Sequence, residues 1–370
     1  MILQRYILRE LGVTFALSFV AIVSVCTVGI IFQTFRSYEG MSFGFILRLA
    51  PMALTQMSPW AMIVSACLTA TLVYGRLSAD NEIDAIRTSG IHVSRIVVPA
   101  VLFGLVLSCA AFFIHGEAAP RARFARRALI KETLLLVLRH PPEGRQNELK
   151  IGGANRLSYA DTAEGRLIRP ALLVLNTDAK KGPRGVPVFM YFSREGRIDV
   201  PEDGPPSLTL VDGAFLQFDP KRLVADPGRI RSEGSFQRDE VVPFELEDIF
   251  KQRRGAADMP THELGQYRLQ PTDPNRVNEA NTEYHGRFAR SLAPLVLVLL
   301  CAPIGIFVKK GSRLAGMGAA LPPMLAYIVL MVAGEGAASK GQIDPPIATY
   351  GSVGLLALVA LVLLWRVVRR

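Results

Sequence analysis

His262 and Glu263 begin a spacing that holds zinc in many hydrolases, and the residue four places on decides the matter. A helix offers two histidines to one metal at positions i and i+4, with the glutamate as base; here position 266 is Gln266, so the second ligand is missing. The other histidines, His92, His115, His140 and His285, lack ligand spacing and are read as surface or interfacial residues. A Gly-x-Ser-x-Gly nucleophile elbow is expected to be absent. The chain also carries no Gly-Lys-Ser/Thr loop for nucleotide phosphate. No catalytic residue, metal ligand or cofactor is expected, and any work done with ATP falls to a separate protein.

A short acidic stretch is more specific. From Gly75 to Gly90 it reads Gly-Arg-Leu-Ser-Ala-Asp-Asn-Glu-Ile-Asp-Ala-Ile-Arg-Thr-Ser-Gly. Asp80 or Asn81 suits a helix N-cap, Glu82 and Asp84 favour the positive first turn, and Gly90 suits a left-handed stop. Ile83 and Ile86 share a face, with Arg87 beside them. The expectation is a short helix over 80–90 with an acidic start and two exposed isoleucines. Such a helix could lie on lipid. Its carboxylates disfavour an anionic leaflet, so docking into a protein groove is the preferred reading.

Six long apolar windows surround this stretch: Leu11–Phe35, Leu49–Gly75, Ile96–Gly116, Ser291–Val308, Leu314–Gly334 and Pro345–Trp365. At about 1.5 Å per residue, about 20 residues cross the hydrocarbon core, and all six reach or approach that length. The first window is too long for a secretory signal core and is read as a retained span. Lys and Arg gather on one side, at Arg5, Arg9, Arg76, Arg87, Arg95, Lys309, Lys310, Arg313, Arg366, Arg369 and Arg370. The positive-inside rule puts that side, with both termini, in the cytoplasm.

The formal net charge of +10 sits mostly at these membrane flanks, because the polar middle is nearly balanced. Topology and anionic headgroups explain it better than nucleic acid, which is not an expected partner. The four cysteines, Cys26, Cys67, Cys109 and Cys301, all lie in spans, so no disulfide braces the polar middle. The middle begins with a basic, helix-like stretch over 120–140. Beyond Pro141-Pro142 come short strand candidates: Leu157–Ala160, Ala171–Asn176, Val186–Phe192, Gly196–Val200, Leu208–Val211, Ala214–Phe218 and Ser235–Phe244. Their spacing reads as a sandwich or barrel, with alternation in Val188, Met190, Phe192 and in Phe215, Gln217 fitting one buried face. Thr261 is a plausible N-cap where helix resumes, and Asn275–Phe288 leads into the fourth span.

The chain resembles the LptF/LptG lipopolysaccharide-export permeases in Arg5-Tyr6-Ile7-Leu8-Arg9-Glu10, in Asn81-Glu82-Ile83 with Ser89-Gly90, in Glu283-Tyr284-His285-Gly286-Arg287-Phe288-Ala289, and in Pro303-Ile304-Gly305. The likeness spans the whole chain, and its tail, Ala338–Pro345, leans towards the LptF branch. It implies an α-helical membrane protein with six transmembrane helices plus an all-β, jellyroll-like periplasmic domain. The expected layout is 1–116 for spans one to three, with a cytoplasmic coupling helix at 80–90. The jellyroll with helical flanks takes 117–287, and spans four to six take 288–370.

The resemblance also implies partners: a second permease of the same type, a cytoplasmic ATPase dimer (LptB-like), a periplasmic bridge protein (LptC/LptA-like) and lipopolysaccharide. Glu82, Ile83, Asp84, Ile86, Arg87 and Gly90 become the ATPase-coupling residues, with Glu82 the charged contact. Arg36, Arg48 and Arg290 become the residues facing lipid phosphate, since guanidinium binds phosphate through two parallel bonds. Spans one and five become lateral gates. Val188, Met190, Phe192, Phe215 and Phe218 would line a jellyroll interior for acyl chains. Two alternatives remain: an ABC permease for another lipid-linked substrate, and a membrane-anchored sensor or hydrolase using the β-domain.

Overall fold

A computed structural model describes residues 2–37, 43–92, 94–139, 147–150, 156–163, 167–176, 187–200, 207–218, 230–236, 240–243, 255–269, 276–307 and 313–369. Helices α1 (Ile2–Ser37), α2 (Phe43–Ala79), α3 (Glu82–Thr88) and α4 (Ser94–Phe113) come first. A π-helical turn, Ile114–Ala118, runs on into α5 (Ala119–Arg139). Seven strands follow, then a 3-10 turn (Ala256–Asp258), α6 (Thr261–Tyr267), α7 (Val277–Phe307), α8 (Arg313–Ser339) and α9 (Pro345–Arg369). Six helical stretches are long and apolar enough to cross a membrane, each overlapping one of the six windows read from the sequence. The chain divides into two compact units, one holding 1–29, 50–124 and 254–370, the other 30–49 and 125–253.

The helical unit is held by one apolar core, in which Ile7 and Leu11 of α1 join Ile63, Cys67 and Tyr74 of α2, Leu297 and Cys301 of α7, and Tyr327 of α8. Two close approaches explain short sequence motifs. A Cβ on Gly305 would sit 2.9 Å from the Thr71 carbonyl oxygen and 3.0 Å from the Gly75 nitrogen, so the Pro-Ile-Gly turn lets α7 meet α2 backbone to backbone. Pro294 interrupts the α7 hydrogen-bond ladder, and the Leu295 N–H donates to Ser108 Oγ of α4 at 3.2 Å. Coverage is uneven. Only 11% of the most apolar stretch of α1, and 22% of that of α8, is buried within the chain.

The other unit contains an antiparallel sheet of β1 (Asn147–Lys150), β2 (Arg156–Ala163), β3 (Leu167–Asn176), β4 (Pro187–Asp199), β5 (Ser207–Phe218), β6 (Ile230–Phe236) and β7 (Glu240–Pro243). The strands lie side by side in chain order to β6, and β7 pairs with β5. The segments expected as separate strands at Val186–Phe192 and Gly196–Val200 are one strand, β4; those at Leu208–Val211 and Ala214–Phe218 are likewise one, β5. The polar residues between them mark a corner in the sheet instead of turns.

At that corner two successive residues escape burial in each inner strand: Ala160-Asp161, Arg169-Pro170, Arg194-Glu195 and Val211-Asp212. The alternation is thereby shifted by one, and both halves of the sheet turn their apolar side to a shared core of Leu157, Tyr159, Ala171 and Leu173 with Ile168, Ile198, Leu208 and Leu210. Asp212 takes φ 55°, and a Cβ on the next residue, Gly213, would fall on the Phe192 carbonyl oxygen. The Ser193 hydroxyl lies 2.6 Å from the carbonyl oxygens of both Glu195 and Val211, and Arg169 meets Glu195 at 2.9 Å.

This register also corrects the expected lining. Tyr191 pairs with Leu173 and Phe215 and shares their face, whereas Met190 pairs with Val174 and Leu216, and Phe192 with Leu172 and Ala214. Met190 and Phe192 therefore lie on the face away from the core, and Phe192 is 44% exposed; Val188 and Phe218 fall at register irregularities at the strand ends. Phe215 faces the core side, where Phe189 and Tyr191 continue the aromatic row with ring centroids 6.0 Å and 6.2 Å apart.

The glycine contact makes an opposite-sign prediction. Gly305→Ala should destabilise the purified protein by about 1–3 kcal/mol for a forced overlap, seen as a lower thermal midpoint. Gly12→Ala, where nothing lies within 4 Å of the new carbon, should leave the midpoint unchanged or raise it through helix propensity. Equal shifts in a detergent melt would count against backbone contact between α2 and α7.

Candidate functional site

Two groups of side chains in the helical unit are built in ways that bulk packing does not require. The first surrounds one turn of α7. Arg287 is 2% exposed and donates from Nε to Glu283 Oε1 at 3.0 Å, from one terminal nitrogen to Thr261 Oγ1 at 3.3 Å, and from the other to the Ala256 carbonyl oxygen at 3.1 Å. Thr261 in turn donates to the Gly116 carbonyl oxygen of the π-helical turn at 3.2 Å. Arg290 meets the second oxygen of Glu283 at 2.8 Å and Glu335 of α8 at 3.7 Å. Gly286 keeps this possible, because a Cβ there would lie 3.0 Å from Glu335 Oε1.

The cluster thus joins the π-helical turn, the 3-10 turn, α6, α7 and α8. It also borders a cavity of about 180 Å³ lined by Gln56, Trp60, His115, Arg123, Arg290 and Met331, among others. Arg123, Arg287 and Arg290 against Glu283 and Glu335 leave these five groups with one positive charge in excess. A small anionic group suits such a space: guanidinium and imidazole N–H groups donate, and the surrounding apolar wall strengthens the attraction.

Several expectations change here. Glu335, whose place just past the fifth apolar window suggests a solvated or interfacial charge, is partly buried and paired with Arg290. His115, read as a surface or interfacial residue, is 7% exposed and lines the cavity. Thr261 is the first residue of α6 and not its cap; the preceding position is Pro260, and the Thr261 hydroxyl is spent on Gly116. Of the three arginines assigned to lipid phosphate, Arg290 lies in this cavity. Arg48 is exposed on α2 within the other unit, and Arg36 sits near the end of α1 with a side chain outside those described. The Gly-x-Ser-x-Gly spacing expected to be absent does occur, at Gly40-Met41-Ser42-Phe43-Gly44. Its last two residues, Phe43 and Gly44, open α2, Ser42 falls outside the described residues, and no strand precedes it among the described residues as elbow chemistry requires.

The second group surrounds α3, which forms where the acidic stretch predicts a helix. Asn81 occupies the N-cap in the left-handed region (φ 57°) without a side-chain capping bond, and Gly90 follows the helix at φ 80°. Ile83 is not exposed: at 4% exposure it belongs to the core with Ile7, Leu11 and Leu77, and Ile86 packs against that core. The accessible side of α3 is made by Ala85, Thr88, Ser89 and Gly90, with Glu82, Asp84 and Arg87 half-buried. Nearby, the Tyr74 hydroxyl donates to the Ile96 carbonyl oxygen at 2.9 Å, and the Ser78 hydroxyl to that of Ile306 at 2.9 Å, fixing the end of α2 to α4 and α7.

A family model described as lipopolysaccharide export system permease LptF/LptG matches residues 5–366, nearly the whole chain. Among curated proteins, no relative matches.

The ion cluster predicts a steep cost for its central arginine. Arg287→Met leaves the Thr261 and Ala256 acceptors unmet and Glu283 with one cation, an expected loss of about 3–5 kcal/mol. Arg287→Lys restores charge but not the fork, so it should recover part of the loss. Thermal unfolding followed by size-exclusion chromatography separates the cases. Identical midpoints for wild type and Arg287→Met would show that the cluster does not hold these elements together.

Proposed function

The chain belongs to the LptF/LptG family of lipopolysaccharide export permeases, and on that footing we propose that it is one of two permease subunits of an ABC transporter. The transporter extracts lipopolysaccharide from the inner membrane and passes it to a periplasmic bridge towards the outer membrane. The distribution of Lys and Arg supports cytoplasmic termini, with α3 on the cytoplasmic side and the sheet domain in the periplasm.

In this reading a cytoplasmic ATPase dimer docks on α3, with Glu82, Asp84 and Arg87 supplying polar contacts. Ile83 and Ile86 anchor the helix from within. The sparsely covered faces of α1 and α8 meet the second permease and open sideways to admit lipid, since burial within the chain leaves most of their apolar surface for another protein or for lipid. The anionic headgroup is drawn to guanidinium groups: Arg290 with Arg123 and His115 at the cavity, and Arg36 and Arg48 at the outer ends of α1 and α2. Acyl chains leaving the membrane follow the aromatic row Phe189, Tyr191 and Phe215, whose rings lie side by side.

The observation that carries the reading is α3 itself, a short helix anchored in the helical core by Ile83 while its far side stays accessible. A surface of that kind receives force from a partner, and the sequence has no phosphate loop of its own.

Purification from mild detergent tests it. Wild type should bring down a small ATPase and a second six-span permease; Glu82→Arg should lose the ATPase and keep the permease. A well-folded wild type that brings down neither would overturn the assignment as a transporter subunit.

A further inference from the structure

Two motifs that are far apart in the sequence touch. The Tyr6 hydroxyl of α1 lies 3.4 Å from Glu82 Oε2 of α3. Arg76, in the last turn of α2, donates to the same Tyr6 oxygen at 3.1 Å and meets Glu10 Oε1 at 2.6 Å. The charges alternate along this chain, carboxylate, phenol, guanidinium, carboxylate, so each link has a donor and an acceptor. Beneath it Ile7, Leu11 and Ile83 share the apolar core, and Leu3 packs against it. The first turns of α1 are thus fixed to α3 by a polar chain outside and an apolar contact inside.

Farther along, α1 is largely uncovered: Val13, Leu17, Val20, Val25 and Val28 are all exposed. One side of α1 keeps contact farther along, where the Phe15 ring meets Phe103 and Ser18 Oγ lies 3.4 Å from Thr69 Oγ1, but with most of its surface uncovered the helix can tilt when its first turns are displaced. We propose that Tyr6 and Arg76 are positioning residues that pass motion of α3 to the first span through the chain Glu82–Tyr6–Arg76–Glu10. The proposal rests on the reading of α3 as the ATPase-docking helix, and it assigns a role to the N-terminal Arg-Tyr-Ile-Leu-Arg-Glu motif that docking alone leaves unused. Glu82 then acts inward on α1 as well as outward on the ATPase.

The test uses the full complex of both permeases and the ATPase in vesicles containing lipopolysaccharide, with ATP turnover and lipid released per ATP measured separately. Tyr6→Phe removes one oxygen and keeps the ring. It should leave ATPase binding intact and turnover within about twofold, while release per ATP falls about fivefold, the scale of one coupled polar contact. Arg76→Lys, which keeps charge but cannot reach two partners in a fork, should lie between wild type and Tyr6→Phe. Because the residues act in series, Tyr6→Phe with Glu82→Gln should be no worse than the weaker single variant.

Unchanged release per ATP in Tyr6→Phe, or losses that multiply in the double variant, would overturn the link while leaving the transporter reading intact. A fall in turnover and release by the same factor would also overturn it, since that is the mark of a merely structural role. Wild-type complex that hydrolyses ATP without releasing lipid would overturn the transporter reading and this inference together.

Discussion

A guanidinium sealed inside protein fixes much of this structure. Arg287 is 2% exposed, and an ion so placed is tolerable only when every donor finds an acceptor. Its acceptors come from α7 itself, from the first residue of α6, and from the carbonyl of the 3-10 turn before it. The chain must therefore return to the helical unit along one path, and the π-helical turn must present Gly116 to Thr261. Glu283 shares its two oxygens between Arg287 and Arg290, and Arg290 reaches on to Glu335 of α8. Removing any one charge strands another in a poorly solvated place, which makes the cluster a unit.

The opposite end of α7 is governed by close packing. Gly305 allows the backbones of α2 and α7 to meet, Ser78 ties the end of α2 to Ile306, and Tyr74 ties it to Ile96. These contacts hold the short turn from which α3 projects. One end of the helical unit thus handles charge, and the other offers a small anchored helix; this division of labour suits a protein that receives force at one place and handles a charged lipid at another.

The sequence made the spans legible because charge-free windows of that length have few other uses, and it made α3 legible because its cap, acidic start and glycine stop each have a local cause. The sheet corner was hidden. Arg194-Glu195 and Asp212-Gly213 look like turns, and only pairing across several strands reveals that each strand continues past them. Alternation in β4 separates two faces but does not say which one Leu173 and Leu157 cover, so the pattern alone points to Phe192 and gives no sign of Tyr191. Ile83 looked exposed because its partners Ile7 and Leu11 belong to a different span. Glu335 and His115 look like interfacial residues for the same reason: their shared neighbour Arg290 is distant from both in the chain, and a single titratable residue near a span end carries no local sign of its partner.

The central claim is that ATP hydrolysis by a partner is converted by this permease into movement of lipopolysaccharide out of a bilayer. The most direct measurement places the chain, its permease partner and the ATPase in vesicles with labelled lipopolysaccharide, with bridge protein outside, and follows label transfer to the bridge on adding ATP. The account predicts transfer that requires both ATP and this chain. Hydrolysis that proceeds with no transfer, or transfer that proceeds equally well without this chain, would contradict it.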